Sequence, residues 1–156
     1  MTPNQIAKTS EHSQQAALFC YCACAMYHGF EEADKWNETG KPVQNSCWCM
    51  YEEMAIRELK WFHAIPNGGD RDQITAGKMK AEGVKSGVLD CFLPVARKGF
   101  HGLYIEMKKP GMQKAKNGGL SENQVEFGNF AVANGYKCVV CYTWIEAVNV
   151  LKEYLS

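Results

Sequence analysis

The sequence has no long apolar run. The longest, Ala16 to Tyr27, covers 12 residues, whereas a helix that crosses a bilayer needs about 20. This run is therefore expected as a buried helix, and no membrane association is expected. The first residues, Met1-Thr2-Pro3-Asn4-Gln5, lack the basic-then-apolar pattern of a secretory leader. The expectation is a cytoplasmic protein. Internal repeats and low-complexity tracts are missing, which excludes solenoid and disordered classes. Charge of one sign is missing too: 17 Lys and Arg balance 17 Asp and Glu. The four histidines, His12, His28, His63 and His101, lack metal-ligand spacing such as HExxH.

What is present fits one ordinary domain. A chain of 156 residues, 46% apolar and 22% charged, buries a core without disulfide or metal staples. Eight cysteines in a chain without an export signal read as small apolar residues. Cys20 and Cys24 share a helix face that Cys22 does not. Cys138 and Cys141 have CxxC spacing, but in a predicted strand they point to opposite faces. Packing is the reading for all of them. A zinc site joining Cys47 and Cys49 to another cluster is the alternative. Trp36, Trp48, Trp61 and Trp144 read as core or interface anchors rather than base-stacking platforms.

The zero net charge hides a segregation. Residues 10–60 carry four basic and eight acidic side chains, and residues 61–116 carry ten basic and five acidic. The second stretch offers a basic face to a polyanion, or else an ordinary solvated surface.

Ser10 caps a predicted helix that starts at Glu11 and runs to about Tyr27. Residues 29–50, with Gly29, Gly40, Pro42 and Asn45, predict a loop-rich insertion. Helical character returns over 50–62. Pro66-Asn67-Gly68-Gly69 is a turn cluster, and 71–82 a polar helix closed by Gly83. Val88–Val95 and His101–Lys108 read as two strands joined by a turn at Arg97-Lys98-Gly99. A Gly- and Lys-rich loop covers 109–119. A helix over 121–134, a strand over 137–143 and a final helix over 144–154 complete the chain. The order predicts an α/β domain with a mixed sheet.

Both hairpin strands break their apolar pattern with charge: Val88-Leu89-Asp90-Cys91-Phe92-Leu93 and Leu103-Tyr104-Ile105-Glu106-Met107-Lys108. Period-two alternation puts Glu106 and Lys108 on one side, and strand pairing can bring Asp90 there. Two carboxylates and a lysine suit phosphodiester hydrolysis. Hard oxygen donors hold Mg²⁺ or Mn²⁺, the metal acidifies water, and a lysine meets developing charge. A plain ion pair at strand ends is the other reading. A small-molecule hydrolase using Asp90 and Glu106 as an acid/base pair is a third.

Gly87-Val88-Leu89-Asp90, followed 16 residues after the aspartate by Glu106-Met107-Lys108, resembles the PD-(D/E)xK nuclease motif. Leu89 stands where the motif has proline, a position that shapes the strand and binds nothing. The flanking segments are Ile65-Pro66-Asn67-Gly68-Gly69-Asp70-Arg71, Lys80 to Gly87, His101 to Lys108 and Ser121-Glu122-Asn123-Gln124. They follow the order seen in stand-alone VRR-NUC proteins, the virus-type replication-repair nucleases found in phages and as the catalytic domain of the Fanconi-associated nuclease. The resemblance runs from about Glu11 to the C-terminus.

The resemblance implies a restriction-endonuclease-like fold over 1–156, with a mixed central sheet flanked by helices. It implies Mg²⁺- or Mn²⁺-dependent cleavage of branched DNA, such as four-way (Holliday) junctions, by a homodimer in the cytoplasm, which is that of the bacterial host if the chain is phage-encoded. Asp90 and Glu106 would hold metal, with the Met107 backbone carbonyl as a further ligand. Lys108 would be the catalytic lysine. Glu11 would complete the metal site or hold its water, against a simpler reading as a helix N-terminal acid. Gln124 would contact the scissile phosphate or the lysine, although its spacing from Ser121 is also that of a capping box. Gln15, one turn after Glu11, would support the site or be an exposed glutamine. Asn67, Arg71 and Lys80 would contact DNA phosphates, or serve as a turn residue and two solvated cations. His101 either touches DNA or is structural. The alternatives are cleavage of flaps, nicks or ends, and a DNA-binding module of the same fold without catalysis.

Overall fold

The computed structural model describes residues 1–41, 55–66 and 73–156, with backbone alone at 73–76. After a short α1 (Pro3–Ile6), helix α2 (Glu11–Thr39) starts at Ser10, whose side chain accepts a hydrogen bond from Ser13 N–H. The remaining elements are β1 (His63–Ala64), α3 (Gln73–Ala81), β2 (Cys91–Leu93), β3 (Leu103–Met107), α4 (Glu122–Ala133), β4 (Lys137–Cys141) and α5 (Trp144–Leu155). Irregular 3₁₀ turns precede β1 and follow β3.

The strands form one mixed sheet in the order β1-β2-β3-β4. The first two pairings are antiparallel and β3–β4 is parallel, as a crossover through α4 requires. Between β2 and β3 the hairpin turn closes by paired backbone hydrogen bonds of Arg97 and Phe100, as expected. The two-residue β1 went unforeseen, because a segment this short has no periodicity to detect.

The sheet is covered on both faces. Cys91, Leu93, Leu103, Ile105, Met107 and Cys141 pack with α2 and α5 in a single apolar cluster. From α2 this cluster takes Ala17, Leu18, Tyr21, Cys22 and Ala25, and from α5 Ala147, Val148, Leu151 and Tyr154. On the opposite face Phe92 stacks on Tyr104 at 4.4 Å, and Tyr104 meets Phe127 of α4 edge-on at 5.2 Å. The described cysteines are all free thiols. Burial pushes the Cys22 and Cys91 thiols up and takes Cys141 to about 12, so these groups stay neutral and pack as apolar residues. Cys47 and Cys49 lie outside the described residues.

The expected loop-rich insertion needs correction in its first half. Gly29 (φ 81°) kinks α2, but the helix resumes to Thr39 and ends at Gly40 in a left-handed cap. Ala33 is fully buried, the Tyr21 hydroxyl donates to Asp34 at 2.7 Å, and Lys152 of α5 donates to the same carboxylate. The polar residues after Gly29 form the outer face of a helix rather than a loop. Residues 42–50 of the expected insertion lie outside the described residues. No helix among the described residues is long and apolar enough to cross a membrane.

Gln14 ties the start of α2 to α5. It is buried, its amide oxygen accepts Trp144 N–H at 2.9 Å, and its amide nitrogen donates to the Lys8 carbonyl. Removing it strands two backbone groups, so Gln14→Ala should lower unfolding free energy by about 2 kcal/mol. Urea denaturation checks this, and a loss under about 0.5 kcal/mol would contradict the bridging role.

Candidate active site

The sheet register builds the site. Cys91 pairs with Ile105 across β2 and β3, and one step beyond the ladder brings Asp90 opposite Glu106. Each carboxylate then takes a backbone N–H from the other strand. Glu106 Oε2 accepts Asp90 N–H at 3.1 Å, and Asp90 Oδ2 accepts Met107 N–H at 3.0 Å. Glu106 and Lys108 share the face that period-two alternation predicts, and Lys108 Nζ lies 2.7 Å from Glu106 Oε1. Lys108 N–H donates to the Cys141 carbonyl, which holds the lysine backbone against the end of β4.

Gln124 reaches the same carboxylate from α4. Its Nε2 donates to Glu106 Oε1 at 2.5 Å, while its Oε1 accepts Ser121 N–H at 3.0 Å. Capping box and site contact are therefore not alternatives, because an amide side chain has an acceptor end and a donor end.

Glu11 comes from the first turn of α2 and is exposed; its Oε1 accepts Lys109 N–H at 3.2 Å. It thereby fastens α2 to the residue after the lysine and stands apart from the Asp90–Glu106 pair. Among the described residues no three Asp, Glu, His or Cys side chains converge as a ready metal cluster. Gln15 is half-buried and forms no hydrogen bond with these residues, and Lys80 is exposed on α3. Asn67 and Arg71 lie outside the described residues. His101 is exposed, its ring edge-on to Tyr136 at 5.9 Å, and its N–H donates to the Gly135 carbonyl at the approach to β4.

Two residues around the site were missed by sequence reasoning. Gln14, not Gln15, is the buried glutamine of α2. The signal was available, since Gln14 lies one turn before Ala17 and Leu18 on the apolar stripe. The Tyr142 hydroxyl donates to the Gly118 carbonyl at 3.0 Å and holds the 109–119 loop beside Lys108. Nothing in the sequence pattern marks that contact.

The Glu106 carboxyl is fully buried. Burial and then the neighbouring Asp90 carboxylate push its pKa up to about 7, against the opposing pull of Lys108 and the Asp90 N–H. For Lys108, burial works against the charged form, but the hydrogen bond and charge of Glu106, with Glu11 and Asp90 behind, outweigh it and raise the pKa. Lys108 is thus held as an ammonium and suits charge stabilisation or water orientation, not proton abstraction. Two carboxylates, Asp90 and Glu106, stand together beside one lysine and gather hard oxygen donors at one place. That donor set fits a divalent cation of the Mg²⁺ or Mn²⁺ kind.

No protein-family model matches the chain, and no curated protein matches it. Among solved structures it is similar to one described as a "VRR_NUC domain protein", with a TM-score of 0.58 and 22% identity over 96% of this chain and 93% of that one. The chain therefore has the fold of that protein, over nearly the full length of both.

The raised pKa of Glu106 has a consequence for stability. The folded state holds this proton more tightly than the unfolded chain, so the group's contribution is complete below about pH 4.5 and is lost as pH rises through about 7. Metal-free wild type should lose stability relative to Glu106→Gln across that window, on the order of 2–3 kcal/mol. The pull of Lys108 on the ionised Glu106 is already contained in that folded-state pKa. Urea denaturation at a series of pH values checks this, and parallel stability curves would refute it.

Proposed function

We propose that this chain is a virus-type replication-repair nuclease that hydrolyses DNA phosphodiesters with a divalent metal and acts on branched DNA, including four-way junctions. The observation that carries the reading is the convergence of Asp90, Glu106, Lys108 and Gln124 in one connected network. The network sits at the end of β3 in a chain with the fold of a VRR_NUC domain protein.

Asp90 and Glu106 would hold Mg²⁺ or Mn²⁺, with the Met107 carbonyl as a further oxygen donor and Glu11 holding a water at the rim. When bound, such a cation supplies an acidified water and neutralises charge on the scissile phosphate. The protein groups do the rest by position. The backbone N–H groups of Asp90 and Met107 fix the two carboxylates across the strand pair. Lys108 carries its charge to the edge of the network, where it can donate to a phosphate oxygen or to the attacking water. Gln124 orients Glu106 through its amide N–H and lies close enough to the same carboxylate to exchange that contact for the phosphate.

Exposed cations at Lys80, Lys109, Lys114 and Lys116 supply the positive surface that a phosphate backbone requires. Asn67 and Arg71 extend the proposed DNA contacts. A homodimer would present two sites to a two-fold junction, and the cytoplasm is the proposed location, that of the bacterial host if the chain is phage-encoded.

Labelled junctions, flaps, nicked duplexes and free ends, incubated at fixed salt with Mg²⁺ or Mn²⁺, test the proposal. Wild type should cut junctions best, and a chelator should abolish cutting. Asp90→Ala and Lys108→Ala should each lower the rate by at least about a hundredfold. If wild type and Asp90→Ala leave every DNA equally intact, catalysis is lost as a reading and a binding module remains. Hydrolysis of a small ester that survives the chelator would point instead to an acid/base pair of Asp90 and Glu106.

A further inference from the structure

Two segments that flank the network, Lys80 to Gly87 and Ser121 to Gln124, meet in the structure. Gly87 has φ 89° and lies flat against the first turn of α4. A Cβ at this position would stand 2.5 Å from Asn123 Cβ, 2.6 Å from its carbonyl carbon and 2.7 Å from its carbonyl oxygen. Two of those three atoms are backbone and cannot rotate away. The preceding residue secures the contact, since Asn123 Nδ2 donates to Ser86 Oγ at 3.0 Å.

Both sides of this contact lead directly to the site. On one side the chain runs three residues from Gly87 to Asp90, a span of at most about 11 Å. Leu89 is buried, and it borders with Leu120, Val125 and Gln124 a cavity of about 390 Å³ beside α4. Asp90 is held at both main-chain groups: its N–H by Glu106, and its carbonyl by Ile65 N–H at 2.7 Å. On the other side, the residue after Asn123 is Gln124, whose amide holds Glu106.

We propose that Ser86, Gly87 and Asn123 are positioning residues that set the spacing between Asp90 and the Gln124–Glu106 pair. The proposal rests on the nuclease reading of that site. The bond and the close approach that join the three are to one another. They act by fixing how closely the Asp90 strand approaches the start of α4. A side chain at position 87 would push the two apart, and both carboxylate supports would shift with them.

Mn²⁺ affinity measured by titration calorimetry, together with kcat and KM on a junction, tests the proposal. Gly87→Ala should weaken Mn²⁺ binding about tenfold or more and lower kcat about a hundredfold, with KM little changed. Ser86→Ala and Asn123→Ala lose only an exposed hydrogen bond and should keep the fold. Each should weaken Mn²⁺ binding a few-fold, and the double variant should be no worse than either single one, because both remove the same bond. If Gly87→Ala fails to fold, this pair decides the matter alone. Wild-type Mn²⁺ affinity and kcat in the folded variants would overturn the positioning role and leave the nuclease reading intact. A wild-type chain that binds no Mn²⁺ would remove the nuclease reading, and this proposal with it.

Discussion

A carboxylate without solvent sits at the centre of this molecule. Glu106 is fully buried, and a buried charge persists only where hydrogen bonds and opposite charge replace water. It has three such partners, each from a different part of the chain: Lys108 two residues on, the Asp90 N–H across the sheet, and Gln124 from α4. The compensation is incomplete, because the Asp90 carboxylate stands beside it and its pKa remains raised. A buried carboxyl whose charge is incompletely compensated is a poor arrangement for stability, and two adjacent carboxyls are donors of the kind a hard divalent cation takes.

The fold exists in a form that keeps this arrangement rigid. The apolar residues of β2 and β3 bury one sheet face against α2 and α5, which leaves Phe92, Tyr104 and Glu106 on the other, where Phe127 and Gln124 of α4 meet Tyr104 and Glu106. A slip of one residue in register would send Glu106 into the apolar cluster and Met107 out of it. The core thus specifies the site as strongly as the site's own hydrogen bonds do. Further anchors sit at the rim: Glu11 on Lys109, Tyr142 on Gly118, and Asn123 on Ser86.

Much of this was legible in the sequence, and the misses have physical reasons. Alternation predicted the shared side of Glu106 and Lys108, and the turn at Arg97-Lys98-Gly99 predicted the hairpin that brings Asp90 to them. The helix over 121–134 and the final strand and helix were legible from periodicity and capping. The continuation of α2 past Gly29 was not, since a glycine followed by acidic residues has the composition of a loop. The burial of Ala33 and the bonds of Asp34 to Tyr21 and Lys152 hold it against the rest of the fold as a helix. Both readings of Gln124, cap and site contact, were legible, but that one side chain fills both at once was not, because spacing presents them as alternatives. The contact between Gly87 and Asn123 spans 36 positions and leaves no periodic trace. Long-range approach is the information that local pattern does not carry.

The proposed chemistry stands on Asp90 and Glu106 holding a divalent cation together. A crystal of the wild-type protein soaked in Mn²⁺ tests this most directly, through anomalous scattering. A peak bonded to both carboxylates is the expected result. A site without a peak, with Glu106 still paired to Lys108, would contradict it.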